Sequence, residues 1–179
     1  GWIKILTSLC KVTTNYFWVG GYAATFFNMA MVGLMCLTLL LVFKTQANNV
    51  TTLAFILTVG FGSWGINPLN SIPTMLGVCL YALVKREKLG GLVNAMMFST
   101  GIAPLISDLL LRYPNAETIG FNLLGLGISI LVGLIIGFFL PAGLAHAPKV
   151  HKGFSLYSAA LPIGMTAFFM NAALYKTLG

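Results

Sequence analysis

Long apolar stretches separated by short polar breaks make up almost the whole chain. The first stretch covers residues 17–43 and closes with Lys44; Thr45 to Asn49 then form a polar turn. The second covers residues 50–84, some 35 residues. At about 20 residues per bilayer crossing, it is too long for one straight span and too short for two. Its arms, 50–59 and 74–84, flank Gly60-Phe-Gly-Ser-Trp-Gly-Ile-Asn-Pro-Leu-Asn-Ser-Ile-Pro73. Further stretches lie at 90–111, 118–140 and 154–174, the last two separated by an irregular segment at 141–153. Ahead of them, the apolar run 2–9, broken by Lys4, reads as an interfacial helix or the tail of a preceding span. Tyr16, Phe17 and Trp18 then form an aromatic cluster suited to a bilayer boundary. The pattern predicts an all-α integral membrane protein with about five crossings, a single polytopic domain over residues 1–179. One of its helices is broken or re-entrant. The start at Gly1 reads as a piece of a longer protein, such as one half of a two-repeat chain. Phe26-Phe-Asn-Met-Ala-Met and Leu156-Tyr-Ser-Ala-Ala-Leu echo one another, each followed by a glycine, at 33 and 164.

Composition agrees. The chain is 58% hydrophobic and 7% charged, with a mean hydropathy of +0.93, against roughly 25% charged residues in soluble domains. The net charge of +7 is read as basic loops at span ends rather than a nucleic-acid surface, since the longest basic cluster is Lys85-Arg86-Glu87-Lys88. Three cysteines without a CxxC provide neither a disulfide framework nor a zinc motif.

Loop charges weigh the two geometries of residues 50–84. One discontinuous crossing divides the Lys and Arg residues seven against three, and a re-entrant hairpin six against four. The positive-inside rule therefore favours the discontinuous crossing.

The broken stretch is the main candidate site. Its three glycines and two prolines oppose a continuous helix. Backbone groups freed at membrane depth must be covered by protein or face a wet cavity. Asn70 or Ser71 is expected to cap a half-helix starting near Ile72-Pro73, whose positive N-terminus would favour an anion or a polar solute end. Asn67 would add an amide contact. Elsewhere, Asn28 is read as an interhelical hydrogen bond, with a place in a solute path as the alternative. Asp108 is read as an i,i+4 ion pair with Arg112, with proton or cation binding as the alternative. Pro104 should kink its span. Gly133 and Gly137 form a GxxxG pair, the mark of close helix packing with a partner left open.

His146 and His151 stand five apart, where a helical metal pair wants three or four, so no metal is expected. His151 is kept as a titrating or solute-contacting candidate against a solvated basic loop. No GxSxG, no neighbouring His–acid pair and no phosphate-cradling Gly-rich loop is present, so no catalytic residue and no cofactor is expected.

Three segments, Ala24-Thr-Phe-Phe-Asn-Met-Ala, Gly65-Ile-Asn-Pro-Leu-Asn-Ser-Ile-Pro-Thr-Met-Leu-Gly-Val and His151-Lys-Gly-Phe-Ser-Leu-Tyr, resemble an uncharacterised bacterial family of polytopic membrane proteins, catalogued only as a domain of unknown function. The resemblance covers most of the chain, with Ser158 standing where the family pattern has Asn. It implies a full protein of about twice this length and supplies no function or site. The expected function is a transporter or channel domain for a small polar or anionic solute, in the bacterial inner membrane. Its path would be lined by Asn67, Asn70 and Ser71, with Asn28, Asp108 and His151 as further contacts. Expected partners are the bilayer, the solute, and a second copy or second half of the chain; nucleic acid is not among them. The alternative is a non-transporting subunit or scaffold, distinguished by a dry, closed broken stretch in place of a wet cavity. A membrane enzyme comes third.

Overall fold

The computed structural model describes residues 1–9, 14–114, 120–151 and 159–176, with the backbone alone at 148–151 and 175–176. Among them every regular element is helical. Two short helices, α1 (Trp2–Leu6) and α2 (Tyr16–Gly20), lead to Gly21, whose φ of +81° turns the chain into α3 (Tyr22–Val42). A side chain at Gly21 would be strained in that conformation, so the first apolar stretch is divided there. Next come α4 (Asn49–Phe61), capped by the Asn48 side chain, and α5 (Pro68–Lys85). Three helical pieces, α6 (Val93–Ser99), a 3-10 turn at Thr100–Ile102 and α7 (Ala103–Arg112), join into one 20-residue span. The kink expected at Pro104 takes the form of that 3-10 turn, which places Pro104 in the first turn of α7, where no donor is needed. The last helices are α8 (Leu123–His151) and α9 (Ala160–Lys176).

Among the described residues, three helices are long and apolar enough to cross a membrane: Tyr22–Val42, Val93–Arg112 and Leu123–Ala147. Asn49–Phe61 and Ala160–Leu174 are apolar but shorter. Residues 141–151, expected to be irregular, continue α8. Pro141 and Pro148 each remove one backbone bond, while Ala142, Ala145 and Ala147 favour the helix and Gly143 packs against Pro162 of α9.

Contacts establish the directions. Gly62 lies against Met29 and Gly33 against Val59, so α4 runs antiparallel to α3. Thr58 bonds to Met97, and Ala54 shares a core with Val93, so α4 and α6 run the same way. Thr74 meets Ser99 and Asn70 meets Ser107, so α5 runs against α6–α7. The arms α4 and α5 therefore double back as a hairpin and are not collinear, which corrects the favoured discontinuous crossing. Both open ends lie where α3 finishes: Thr45 donates to the Gly90 carbonyl at 3.1 Å, and Phe43 lines one groove with Cys79 and Leu89. This is called the Phe43 end. α9 runs antiparallel to α8, and hence opposite to α3.

The most extensive helix pairing is α5 on α8. A Cβ built on Gly137 would strike the Thr74 carbonyl oxygen, and one on Gly77 the Leu134 carbonyl oxygen; Gly133 faces the Pro73 ring in the same way. The GxxxG pair thus finds its partner in α5, and the missing side chains let the backbones touch.

Candidate functional site

Local sequence sets the hairpin tip. α4 stops at Phe61, and Gly65, at φ +110°, makes a bend that a side chain would oppose. Asn67 then caps α5. Its side-chain oxygen accepts from Asn70 N at 3.0 Å, while Asn70 Oδ1 accepts from Asn67 N at 2.9 Å. This reciprocal box satisfies two amides that a helix start leaves open. The half-helix therefore begins at Pro68, earlier than expected, with Asn67 rather than Asn70 or Ser71 as its cap. Pro68 suits the first position because its missing donor is not required there. Pro73 falls inside the helix and removes one bond to the Leu69 carbonyl, a loss the box and the packing on Gly133 outweigh.

Three of the expected site residues converge with Asn28. Asn28, Asn67 and Ser71 are fully buried and Asn70 is 2% exposed. Asn28 Nδ2 donates to both tip carbonyls, Gly62 at 2.7 Å and Ile66 at 2.8 Å. Asn70 Nδ2 donates to the Gly65 carbonyl and to Ser107 Oγ, each at 2.8 Å. Ser71 Oγ donates to the Asn67 carbonyl at 2.7 Å. Asn28 is thus the interhelical clamp expected of it, and it works through backbone carbonyls. Replacing it with Leu leaves two buried carbonyls without donors, at about 1–3 kcal/mol each. Thermal unfolding of purified Asn28→Leu should show that loss as a clearly lowered midpoint; an unchanged midpoint would mean water reaches the tip.

Sequence reasoning missed the N-terminal helices as part of this site. Tyr16, taken for an interface aromatic, is fully buried; its hydroxyl accepts from Asn67 Nδ2 at 3.2 Å and its N–H donates to the Ser63 carbonyl at 3.1 Å. Trp2 Nε1 donates to Asn28 Oδ1 at 3.2 Å. Together α1 and α2 cover the tip from the side opposite the Phe43 end. The available signal was the polar handle on each ring, which needs a partner when buried. A cavity of about 40 Å³, reaching Ile66 beside the tip and touching Thr58 and Thr100, has room for a few waters at most. Both hydroxyls already donate to the Met97 carbonyl.

Asp108 and His151 are not brought into this cluster by the described contacts. Asp108 faces Arg112 at 3.7 Å in the last turn of α7. His151 ends α8, and its side chain lies outside the described residues. His146 Nδ1 sits 2.8 Å from the Ala142 carbonyl on the exposed side of the same helix. Among the described residues no group of three His, Cys, Asp or Glu side chains could hold a metal.

A protein-family model described as "Protein of unknown function (DUF1576)" matches residues 1–176. No curated protein and no solved structure matches the chain.

Proposed function

The chain belongs to the DUF1576 family, and for it we propose a domain that passes a small polar or anionic solute across a bilayer, the bacterial inner membrane. In this reading α4 and α5 form a hairpin that enters from the Phe43 end and returns to it. The observation that carries the reading is the hairpin with its buried asparagine tip. Arms of 13 and 18 residues reach about 20 and 27 Å, short of a 30 Å hydrocarbon core. The tip beside Asn28 would lie about two-thirds of the way along α3, a depth at which irregular backbone is tolerated only when covered or lining a path. Lys44, Lys85, Arg86, Lys88 and Lys149 would mark the cytoplasmic side, against Lys4, Arg112 and Lys176 opposite. The geometry is a closed one, so a path along the tip would need the Tyr16 and Trp2 contacts to part.

One observation favours the second reading, a non-transporting subunit or scaffold: the buried Asn28, Asn67, Asn70 and Ser71 side chains bond within the chain itself. Solute flux in liposomes separates the two. Under the transport reading, Tyr16→Phe weakens the seal and raises flux of small polar solutes severalfold, whereas Asn67→Ala lowers it with the fold intact. Absence of flux for every solute from correctly inserted protein would leave the subunit reading standing.

A further inference from the structure

At the Phe43 end the surface opens into a groove of about 680 Å³ between α3, α5 and the turn before α6. Its wall is largely apolar, built from Phe43, Cys79, Ala82, Leu83 and Leu89, and Arg86, Glu87 and Lys88 complete the lining. We infer that this groove holds an anionic phospholipid, with an acyl chain along the wall and the phosphate between Arg86 and Lys88. The inference rests on the membrane reading proposed above.

Charge complementarity selects that occupant. Among the described residues, no acid forms an ion pair with Lys44, Lys85, Arg86 or Lys88, and all four are exposed. Glu87 is the single acid of the cluster Lys85-Arg86-Glu87-Lys88, so the rim stays cationic. A guanidinium can donate to two phosphate oxygens at once, which an ammonium cannot. Backbone geometry adds an independent observation. Lys44 and Arg86 are the two described non-glycine residues with positive φ, +49° and +57°; Arg86 caps α5 at this groove, and Lys44 follows Phe43, the cap of α3. Glycine is the usual residue at such an ending, because it carries no left-handed penalty. Here the chain instead keeps basic side chains at both turns, as strained residues do around ligand clamps. Two of the last α5 carbonyls are occupied, since Glu87 N–H donates to the Ala82 carbonyl at 2.9 Å and Arg86 N–H to the Leu83 carbonyl at 3.4 Å.

The test uses the whole chain, floated with phosphatidylcholine vesicles and then released in detergent for native mass spectrometry with equal phosphatidylglycerol and phosphatidylcholine. The expected result is selective retention of phosphatidylglycerol, unaffected by added inorganic phosphate. Each basic residue near an anionic lipid is worth roughly fivefold, so Arg86→Gln with Lys88→Gln should cut the selectivity about thirtyfold. Glu87→Gln should raise it. Both changes are at exposed positions, and insertion into the vesicles checks that the variants still fold. Equal retention of the two lipids, or selectivity unchanged in the double variant, overturns the site. Displacement by inorganic phosphate overturns the lipid in favour of a free anion. Failure to float with vesicles at all overturns the membrane reading beneath it, and is distinguishable because it precedes any lipid comparison.

Discussion

Gly137→Leu is expected to lower the thermal unfolding midpoint of the purified protein well below that of the unchanged chain. The new Cβ falls on the Thr74 carbonyl oxygen and within 2.9 Å of the Gly77 Cα, both backbone atoms of α5. A neighbouring side chain could rotate away, but backbone cannot, so α5 and α8 must separate. Overpacking ordinarily costs about 1–3 kcal/mol, and a backbone clash belongs at or above the upper limit. For a chain of this size that corresponds to a fall of roughly 6–12 °C. The control is Gly127→Leu on the same helix, where a Cβ meets nothing within 4 Å. It should be neutral or slightly stabilising, because glycine is a poor helix former. Equal midpoints for the two variants would show that α5 and α8 do not pack as described.

Asn70→Ala should be comparably costly, for a different reason. It removes the acceptor for Asn67 N and the donors to the Gly65 carbonyl and Ser107 Oγ in one step. All lie at a buried tip, and a polar group left unpaired there costs about 1–3 kcal/mol. The total comes to about 3–5 kcal/mol, since these groups are neighbours and share the loss. Ser71→Ala provides the contrast. Its hydroxyl donates to the Asn67 carbonyl, but that carbonyl keeps the Ser71 amide at 3.2 Å. The expected loss is therefore below about 1 kcal/mol. Chemical or thermal unfolding of the two variants side by side decides the matter. If Ser71→Ala proves as harmful as Asn70→Ala, the reciprocal box is not what holds the tip.

These two effects were legible in the sequence to different degrees. The break at residues 60–73 and the Asn/Pro helix start could be read directly, because glycine, proline and capping asparagine act through the local backbone. The start itself was placed too late. Pro73 looked like a first-turn residue, and only the box between Asn67 and Asn70 moves the start back to Pro68. The GxxxG pair announced close packing, but a small residue says only that something approaches, not what. That α5 is the partner is a consequence of the hairpin, and the hairpin direction was misjudged from loop charges whose totals differed by one residue on each side.

The sequence alone determined the features that depend on composition and near-neighbour chemistry: the helical class seen among the described residues, apolar lengths, the polar break, and the family, whose motifs are contiguous. Continuation of α8 through Pro141 and Pro148 was not determined, because proline opposes a helix locally while the packing of Gly143 on Pro162 of α9 is a tertiary contact. Tertiary structure decided that the arms double back, that Tyr16 and Trp2 close the tip, and that Ser107 reaches Asn70 across 37 positions of chain. Such contacts depend on which faces meet after folding. In a chain this apolar nearly every face could be buried, so periodicity carries little information about which one is.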